Sequence, residues 1–445
     1  MGAKVTFEDR IRGCLLGAAI GAELGFARCV EPQRSAATGA KGVLAARLGP
    51  ARRYRPEPHR TNLASTVPLI DAGVRAYLRA GGRASAEDFG HVLRDHEGVA
   101  TPAFQWDGLH TVQELLKEGA NPRTSGLGTF PCGLIAAAMP AVGAYHFAQA
   151  EYAYLDGVEL ASVAQGRLGA DWAALCAAAV AAAFEEGADG ASIADAVLRL
   201  AFENNRELFY ELDWSMRAAG GGDEAAFVER WSRTGGAPPT DKGTLWIAYN
   251  PIRFVLPVVK RFAGEPRKLL ALLVAPPPFL YGTTVTAAIG GAVAGALNGA
   301  SALPAAWRRR GEGIARPWYA LAAVVRRRVR REAAVVRVTE RLAAPAGAGR
   351  SALEDKIAGC LLAGAIGNAM GSPVEGRTWR EIDREHPGGI RTVLDPSRLE
   401  GEDDNQMAML LVETYLRREG RPVAARHFGR TWRERLNRDH FYPFC

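Results

Sequence analysis

Two stretches of this chain are nearly the same, and they decide how the rest of the sequence is interpreted. Asp9-Arg-Ile-Arg-Gly-Cys-Leu-Leu-Gly-Ala-Ala-Ile-Gly-Ala-Glu-Leu-Gly25 aligns with Asp355-Lys-Ile-Ala-Gly-Cys-Leu-Leu-Ala-Gly-Ala-Ile-Gly-Asn-Ala-Met-Gly371, and 10 of the 17 positions are identical. A second, weaker match pairs residues 82–90 with residues 420–429. An internal repeat fixes how many structural units a fold contains.

The register of the repeat predicts one complete unit and the N-terminal third of another. We assign residues 5–305 to the first domain, residues 306–350 to a basic helix with an Ala/Gly/Pro linker, and residues 351–445 to the partial second domain. The small-residue run at 343–350 is typical of a domain boundary. We expect the sequence to descend from a tandem protein by truncation or frame shift.

Composition and patterning predict an all-α fold. The chain has 445 residues, enough for about two or three domains. Hydrophobic residues make up 48% of it, which suffices for ordinary packed cores. Alanine, the strongest helix former, dominates stretches such as Ile135–Met139 and Ala177–Phe184, whereas strand-like alternation is scarce. We therefore expect a helical bundle.

Small residues recur at every fourth position of the repeated stretch. The positions are Gly13, Gly17, Gly21 and Gly25 in the first copy and Gly359, Ala363, Gly367 and Gly371 in the second. A four-residue step keeps them on one face of a helix. Each glycine in a helix interior costs about 1 kcal/mol relative to alanine, so we predict that another backbone packs closely on this face. The same reasoning applies to Ala287–Ala296.

The net charge of +7 is concentrated between the two repeated stretches, in Trp307–Arg310 and Arg326–Arg331. One interpretation is a surface that binds a phosphate-bearing partner. The other is a solvated helix face that joins two domains, which we favour. No aromatic interleaving and no known nucleic-acid module accompanies the arginines, so nucleic acid is not expected as a partner.

The cysteines and the apolar segments indicate a cytoplasmic protein without a membrane partner. The six cysteines form no Cys-x-x-Cys pair, so neither a zinc site nor a disulfide framework is predicted. The N-terminus lacks the apolar run of a signal peptide. The most apolar stretch, Leu270–Leu303, is interrupted by prolines at 276–278 and rich in glycine, so we interpret it as packed helix rather than a membrane span.

The sharpest chemical feature is the acidic run Glu402-Asp403-Asp404, followed by the periodic apolar segment Met409–Leu416. Adjacent carboxylates at the start of a helix offer the hard oxygen ligands that suit Mg²⁺ or Mn²⁺. The alternative is that the three residues complement the helix dipole and cap the helix. Spacing alone slightly favours this structural alternative.

Taken together, these motifs resemble the ADP-ribosylglycohydrolases. The opening Asp-Arg-Ile-x-Gly-Cys-Leu-Leu-Gly-x-Ala-Ile-Gly and the Asp-Asp-x-Gln-Met-Ala run carry the resemblance, which covers nearly the whole chain. It implies all-α enzymes, related to the dinitrogenase-reductase-activating glycohydrolase. Such enzymes bind two Mg²⁺ ions and hydrolyse the N- or O-glycosidic bond between ADP-ribose and a side chain. ADP-ribose or an ADP-ribosylated substrate is the implied ligand, and Mg²⁺ or Mn²⁺ the implied cofactor.

In the second unit the resemblance implies that Glu402-Asp403-Asp404 are metal ligands, with Glu402 in place of a family threonine and Asn405 in place of another. Glu375 matches a family acidic residue near the metals and is the catalytic candidate. The family's Gly-Asp-Ala has become Gly367-Asn368-Ala369. The second ligand cluster would lie beyond residue 445, so a partner chain that completes the second domain is a further candidate partner.

The first unit has lost both ligand clusters of the family. Ser65 and Thr66 stand at the positions of the two aspartates of the first cluster. Gly282 and Thr284 stand at the positions of the two aspartates of the late cluster. A hydroxyl lacks the charge that holds a dication, so we expect no tight Mg²⁺ binding by this unit.

One substrate-side feature of the first unit survives in the glycine loop. Gly126-Leu-Gly128 resembles the family's loop near the ribose and phosphates, and it implies that Gly126 and Gly128 bind substrate. Backbone N–H groups at such a loop can hold phosphate, although an ordinary glycine turn explains the pattern equally well. His146, beside aromatic residues, is interpreted as a core histidine rather than a catalytic base.

Two hypotheses follow from the resemblance. In the first, the second unit hydrolyses ADP-ribosyl bonds with Mg²⁺, which polarises the ribose and activates water, while Glu375 assists proton transfer. In the second, the protein is a non-catalytic pseudoenzyme that binds ADP-ribose-type ligands or acts as a helical scaffold. The pair Gly282 and Thr284 favours the second hypothesis for the first unit.

Overall fold

The regular structure of the chain is helical, which confirms the all-α expectation. The computed structural model describes residues 5–30, 66–99, 108–129, 131, 133–234, 250–274, 283–342, 352–394 and 403–436. Within these ranges no residue belongs to a strand. The chain divides into two compact units, Met1–Arg330 and Arg331–Cys445. The division falls inside the basic helix that follows the first domain.

The helices are numbered in chain order. In the first unit they are α1 Phe7–Val30, α2 Thr66–Ala80, α3 Ala86–Asp95, α4 Leu109–Lys117, α5 Met139–Tyr145, α6 Ala150–Ala161, α7 Arg167–Ala182, α8 Gly190–Asn204, α9 Arg206–Ala219, α10 Glu224–Thr234, α11 Pro251–Phe262, α12 Pro266–Val274, α13 Thr283–Asn298 and α14 Ala305–Ala315. Then come α15 Leu321–Leu342, which crosses the division, and α16 Ala352–Gly371, α17 Trp379–Glu385, α18 Asp403–Arg418 and α19 Ala425–Arg435. Short 3₁₀ turns cover Gly133–Ala138, Ala300–Ala302, Arg316–Ala320 and Ser372–Val374.

The repeated stretch forms α1 in the first unit, and α1 packs against α13. The two helices touch backbone to backbone, because a Cβ atom added to a glycine of α1 would lie within 2.3 Å of a carbonyl oxygen of α13. The closest pairs are Gly13 with Gly295, Gly17 with Gly291, and Gly21 with Ala287. The paired numbers run in opposite directions, so the helices are antiparallel. The predicted close approach on this face is confirmed.

The alanine-rich helix α7 forms the centre of the first unit. Residues 170–184 are buried, and α7 contacts α5, α6, α8, α11 and α13. Small side chains allow several helices to approach one central helix, which suits the dense packing of protein interiors. Trp172 and Phe184 supply the large side chains of this layer. The first unit therefore has one continuous core.

Part of the basic segment is attached to the first unit. On α15, Arg326 donates to Glu8 at 2.5 Å, and Arg328 donates to the carbonyl oxygen of Tyr145 at 2.5 Å. Arg327 donates to the carbonyl oxygen of Gly81 at 3.3 Å. Three arginines of the run therefore bind other residues of the first unit and hold α15 in place. The linker at 343–350 lies outside the described residues.

The second unit consists of α16 to α19 with a small buried set. Helix α16 contacts α18, and α18 contacts α19. The buried residues in the described part of the unit are Ala369, Val374, Leu410, Thr414, Pro422 and Thr431. Ion pairs of Glu413 with Arg435 and of Arg417 with Glu434 join α18 to α19 on the surface. Little apolar surface is removed from water in the described part of this unit.

One helix of the described chain is long and apolar enough to cross a membrane by length and composition alone. It comprises Leu353–Val374, with a mean hydropathy of 1.4, and 11% of its apolar window is buried. A single helix of this kind is weak evidence for a membrane span. Its sequence twin α1 has the same motif and is a core helix of the first unit.

Candidate functional site

The structure brings together the two segments of the first unit that the resemblance aligns with the lost ligand clusters. Thr66 is the first residue of α2, and Thr284 lies in the first turn of α13. The Thr66 hydroxyl donates to the Thr284 hydroxyl at 2.8 Å, and both residues are buried. Ser65 and Gly282, their predicted companions, lie outside the described residues. The two segments thus meet at this residue pair.

The contact between the two threonines is a hydrogen bond between uncharged groups. A buried hydroxyl costs free energy unless it is hydrogen-bonded, and here each threonine supplies the partner of the other. Two carboxylates at 2.8 Å would repel one another unless a cation lay between them. The hydroxyl pair needs no such cation. Among the described residues no group of three or more His, Cys, Asp or Glu side chains could hold a metal ion.

A second polar network lies farther along α2 and was not predicted. Asp71 accepts from His96 Nε2 and from the Trp318 indole N–H, both at 2.8 Å. Burial raises the pKa of Asp71, but the hydrogen bonds from His96 and Trp318 outweigh it, so the pKa is lowered overall. The partners are 25 and 247 residues away in the chain, so no local spacing could have indicated them.

The glycine loop is shaped by close packing. A Cβ atom at Gly126 would lie 2.3 Å from the carbonyl oxygen of Ser162 and 2.5 Å from the amide nitrogen of Gln165. Gly128 has a φ of +79°, a left-handed conformation that favours glycine, and its Cβ position is open. Packing therefore accounts for Gly126 and backbone conformation for Gly128. Phosphate binding by the two glycines stays a prediction.

The glycine loop is followed by a turn that contacts the two helices of the threonine pair. The 3₁₀ turn Gly133–Ala138, which begins a few residues after the loop, contacts both α2 and α13. Thr129 ties the loop down, since its hydroxyl donates to the Gly126 carbonyl at 2.7 Å and accepts from the Gly166 N–H at 3.0 Å. The loop thus packs on the segment Ser162–Gly166, and the turn after it packs on α2 and α13.

His146 is a buried partner of Asp156. The Nε2–H group of His146 donates to Asp156 at 2.6 Å, and Arg83 donates to the same carboxylate at 2.9 Å. Burial lowers the pKa of His146, and the hydrogen bond to Asp156 only partly opposes it. Burial raises the pKa of Asp156, but the bonds from His146 and Arg83 outweigh it and lower the pKa. A neutral, buried imidazole agrees with the core role predicted for His146.

In the second unit, the acidic run stands at the start of a helix. Helix α18 begins at Asp403, and Asp404 is exposed in its first turn. Glu402 lies outside the described residues, and only the backbone of Asp403 is described. Glu375 is exposed directly after the turn Ser372–Val374, and its N–H donates to the Ser372 carbonyl at 3.2 Å. The predicted helix start is confirmed, and the metal-binding and catalytic roles stay predictions.

Two asparagines of the second unit have buried polar atoms without a hydrogen-bond partner in the described structure. They are the side-chain oxygen of Asn368 on α16 and the side-chain nitrogen of Asn405 on α18. Helices α16 and α18 contact each other. Unpaired buried polar atoms are uncommon because each costs about 1–3 kcal/mol. Both residues stand at positions where the resemblance places polar residues of the metal region.

Sequence comparison agrees with this geometry. The profile described as ADP-ribosylglycohydrolase matches residues 3–337 and again residues 349–444. The chain belongs to the ADP-ribosylglycohydrolase family. A search of curated protein sequences finds no significant match. The family indicates glycosidic hydrolysis at ADP-ribose and ADP-ribosylated substrates as ligands.

The two copies of the ADP-ribosylglycohydrolase sequence differ in their fit to a divalent cation. The threonine pair of the first unit has no carboxylate and already satisfies its own hydroxyls, so its residues do not fit Mg²⁺. The second unit offers the carboxylate of Asp404 and the unpaired amide oxygen of Asn368, which are oxygen ligands of the kind that Mg²⁺ accepts. Its residues fit the ion in donor chemistry.

Proposed function

We propose that the first unit is a non-hydrolytic scaffold with the ADP-ribosylglycohydrolase fold. The Thr66–Thr284 hydrogen bond supports this proposal, since it joins the two segments that would otherwise carry ligand clusters. With neutral groups at both segments, the unit offers no charge to position a dication beside a glycosidic bond. In this role the unit would serve as a folded support to which other segments or proteins attach.

The test uses the full chain and two valine variants, Thr66→Val and Thr284→Val. Release of ADP-ribose from ADP-ribosyl-arginine and ADP-ribosyl-serine peptides is measured with Mg²⁺ present. Each variant should lose about 1 kcal/mol of stability, because the remaining hydroxyl is left unpaired, and should release ADP-ribose at the wild-type rate. A variant that is folded by circular dichroism yet loses turnover would show that the pair takes part in hydrolysis.

A second candidate function is Mg²⁺-dependent hydrolysis of ADP-ribosyl bonds by the second unit. The oxygen-rich start of α18 together with the unpaired Asn368 oxygen favours it. Glu402-Asp403-Asp404 would hold the metal, which when bound would supply charge to polarise the ribose and acidify water. Glu375 is exposed and able to accept a proton from that water.

Substitution of Asp404 tests this second function. Asp404→Asn keeps the size of the side chain and removes the charge that a dication needs, so Mg²⁺-dependent release of ADP-ribose should fall at least about 100-fold. The matched control is Glu419→Gln, which removes an exposed carboxylate of the same unit at a surface turn. Equal turnover of both variants would exclude Asp404 as a metal ligand.

A further inference from the structure

The helix formed by the second copy of the repeat exposes residues that the first copy buries. Ile357, Leu361, Leu362 and Ile366 of α16 are 44–60% exposed. Their identical counterparts in α1 are at most 1% exposed; these are Ile11, Leu15, Leu16 and Ile20. The difference is an apolar face that nothing in the described part of the second unit covers.

The glycine face of α16 is uncovered as well, and it is a different face of the helix. In α1 the glycines meet α13, whereas Leu16 and Ile20 lie against Gly311 of α14. A Cβ atom added at Gly359, Gly367 or Gly371 would meet no heavy atom within 4 Å. At Gly21, the counterpart of Gly367, the added atom would lie 1.9 Å from the Ala287 carbonyl oxygen. The sequence of α16 therefore keeps the glycines that a close helix partner requires, at about 1 kcal/mol each, without such a partner in residues 352–394 and 403–436.

The first unit shows what kind of helix fits this face. The partner of α1 is α13, whose sequence Thr283–Asn298 contains no charged residue and has small residues at Ala287, Gly291 and Gly295. That four-residue spacing matches the spacing of Gly359, Ala363 and Gly367. The α13 of another copy is not available for this purpose, because it is buried in its own first unit.

We propose that α16 is the docking face for an uncharged helix of the α13 pattern, supplied from outside residues 352–394 and 403–436. The occupant carries a small residue at every fourth position over four turns and packs antiparallel, backbone to backbone, as α13 does on α1. A lipid surface is the less favoured occupant, because the first turn of α16 carries Glu354, Asp355 and Lys356, and lipid does not require a glycine-lined groove.

The test is hydrogen exchange of the full chain with a peptide of residues 283–299, flanked by lysines for solubility. Added peptide should slow amide exchange in residues 352–371 at least about tenfold and leave α1, which already has its partner, unchanged. A control peptide with Gly291→Leu and Gly295→Leu should give no protection, because leucine side chains prevent the close approach of backbones.

Two variants of the chain locate the binding face. Gly367→Leu should abolish the protection, since it fills the groove at the counterpart of Gly21. Ala358→Leu adds the same side chain at the counterpart of Arg12, an exposed position of α1, and should retain it. No protection at millimolar peptide, or equal protection of both variants, would overturn the proposal.

Two further outcomes would assign the face to a different occupant and also overturn the proposal. The first is a dimer of the chain alone, seen by sedimentation and lost in Gly367→Leu but not in Ala358→Leu. The second is protection of residues 352–371 by phosphatidylcholine–phosphatidylglycerol vesicles at concentrations where the peptide has no effect.

Discussion

Helices α1 and α16 share 10 of 17 residues in the repeated stretch and have opposite surroundings. Leu15 is fully buried, and its counterpart Leu361 is 46% exposed. The difference comes from the helices that cover α1. Helix α13 packs on its glycine face and α14 lies over Leu16 and Ile20, and neither has a counterpart among residues 352–394 and 403–436. The sequence of a helix thus determines which of its faces can be buried. Whether that face is buried depends on the helices that the rest of the chain packs against it.

The sharpest way to measure the difference is through the paired cysteines. Cys14 is buried and Cys360 is exposed, and burial raises the pKa of the Cys14 thiol. Because the thiolate is the reactive form and Cys14 must be exposed by unfolding, iodoacetamide should modify Cys360 at least about 1,000-fold faster. Peptide mass spectrometry of the native chain measures the ratio. Comparable rates would mean that α1 is not held against α13.

Truncation of the paired leucines should give the next largest effect. Leu15→Ala leaves a cavity in the core and should cost about 2–5 kcal/mol of unfolding free energy. Leu361→Ala at the exposed counterpart should change it by about 0.5 kcal/mol or less. Urea denaturation of the two variants gives the comparison directly. A loss of several kcal/mol for Leu361→Ala would show that α16 is covered in solution.

Alanine at paired glycines should change stability in opposite directions. Gly21→Ala places a methyl group against the Ala287 carbonyl and should cost about 1–3 kcal/mol. Gly367→Ala meets no neighbour and should gain up to about 1 kcal/mol from the higher helix propensity of alanine. Thermal unfolding of each unit, followed by limited proteolysis, reports the two changes. Stability changes of the same sign in the two variants would contradict the uncovered state of Gly367.

Acid should lower the free energy of unfolding of the first unit more than that of the second. The pKa of His146 is lowered mainly by burial, and the pKa of Asp156 is lowered by its hydrogen bonds. For a lowered pKa the unfolded state binds more protons, so stability is present above the unfolded value and falls with pH below it. The loss begins near about pH 6.5 for His146 and near about pH 3.9 for Asp156. The urea midpoint of the first unit should therefore fall from pH 7 to pH 4.

The control for this pH dependence is His146→Gln. It removes the titrating imidazole, so the slope of stability between about pH 7 and pH 5 should become shallower, while the fall near the range of Asp156 remains. The described carboxylates with a lowered pKa in the second unit are solvent-exposed, as in the pair of Glu385 with Arg377. An unchanged slope in His146→Gln would place the titration on another group.

The sequence was informative wherever a pattern was local. The repeat predicted both α1 and α16, and the glycines at 13, 17 and 21 predicted a close backbone contact that the structure confirms. The pattern at Ala287–Ala296 predicted the same contact for α13 but could not show that α1 is its partner, since the two segments lie more than 250 residues apart.

The candidate site was only partly predictable for the same reason. Thr66 and Thr284 were located by resemblance, but their hydrogen bond depends on a pairing across 218 residues. Phosphate contact at Gly126 stays a prediction, and the sequence did not indicate that the Ser162 carbonyl lies where a side chain at this position would be. Cys360 is exposed and Cys14 is buried although the same motif surrounds both, so the local sequence does not decide their exposure.

The threonine pair has a consequence for what holds α2 and α13 together at this point. A core that brings two carboxylates together depends on a counter-ion and loosens when a chelator removes it. The Thr66–Thr284 contact replaces that dependence with a bond between neutral groups. The bond that joins α2 to α13 at this point therefore needs no bound ion to hold it.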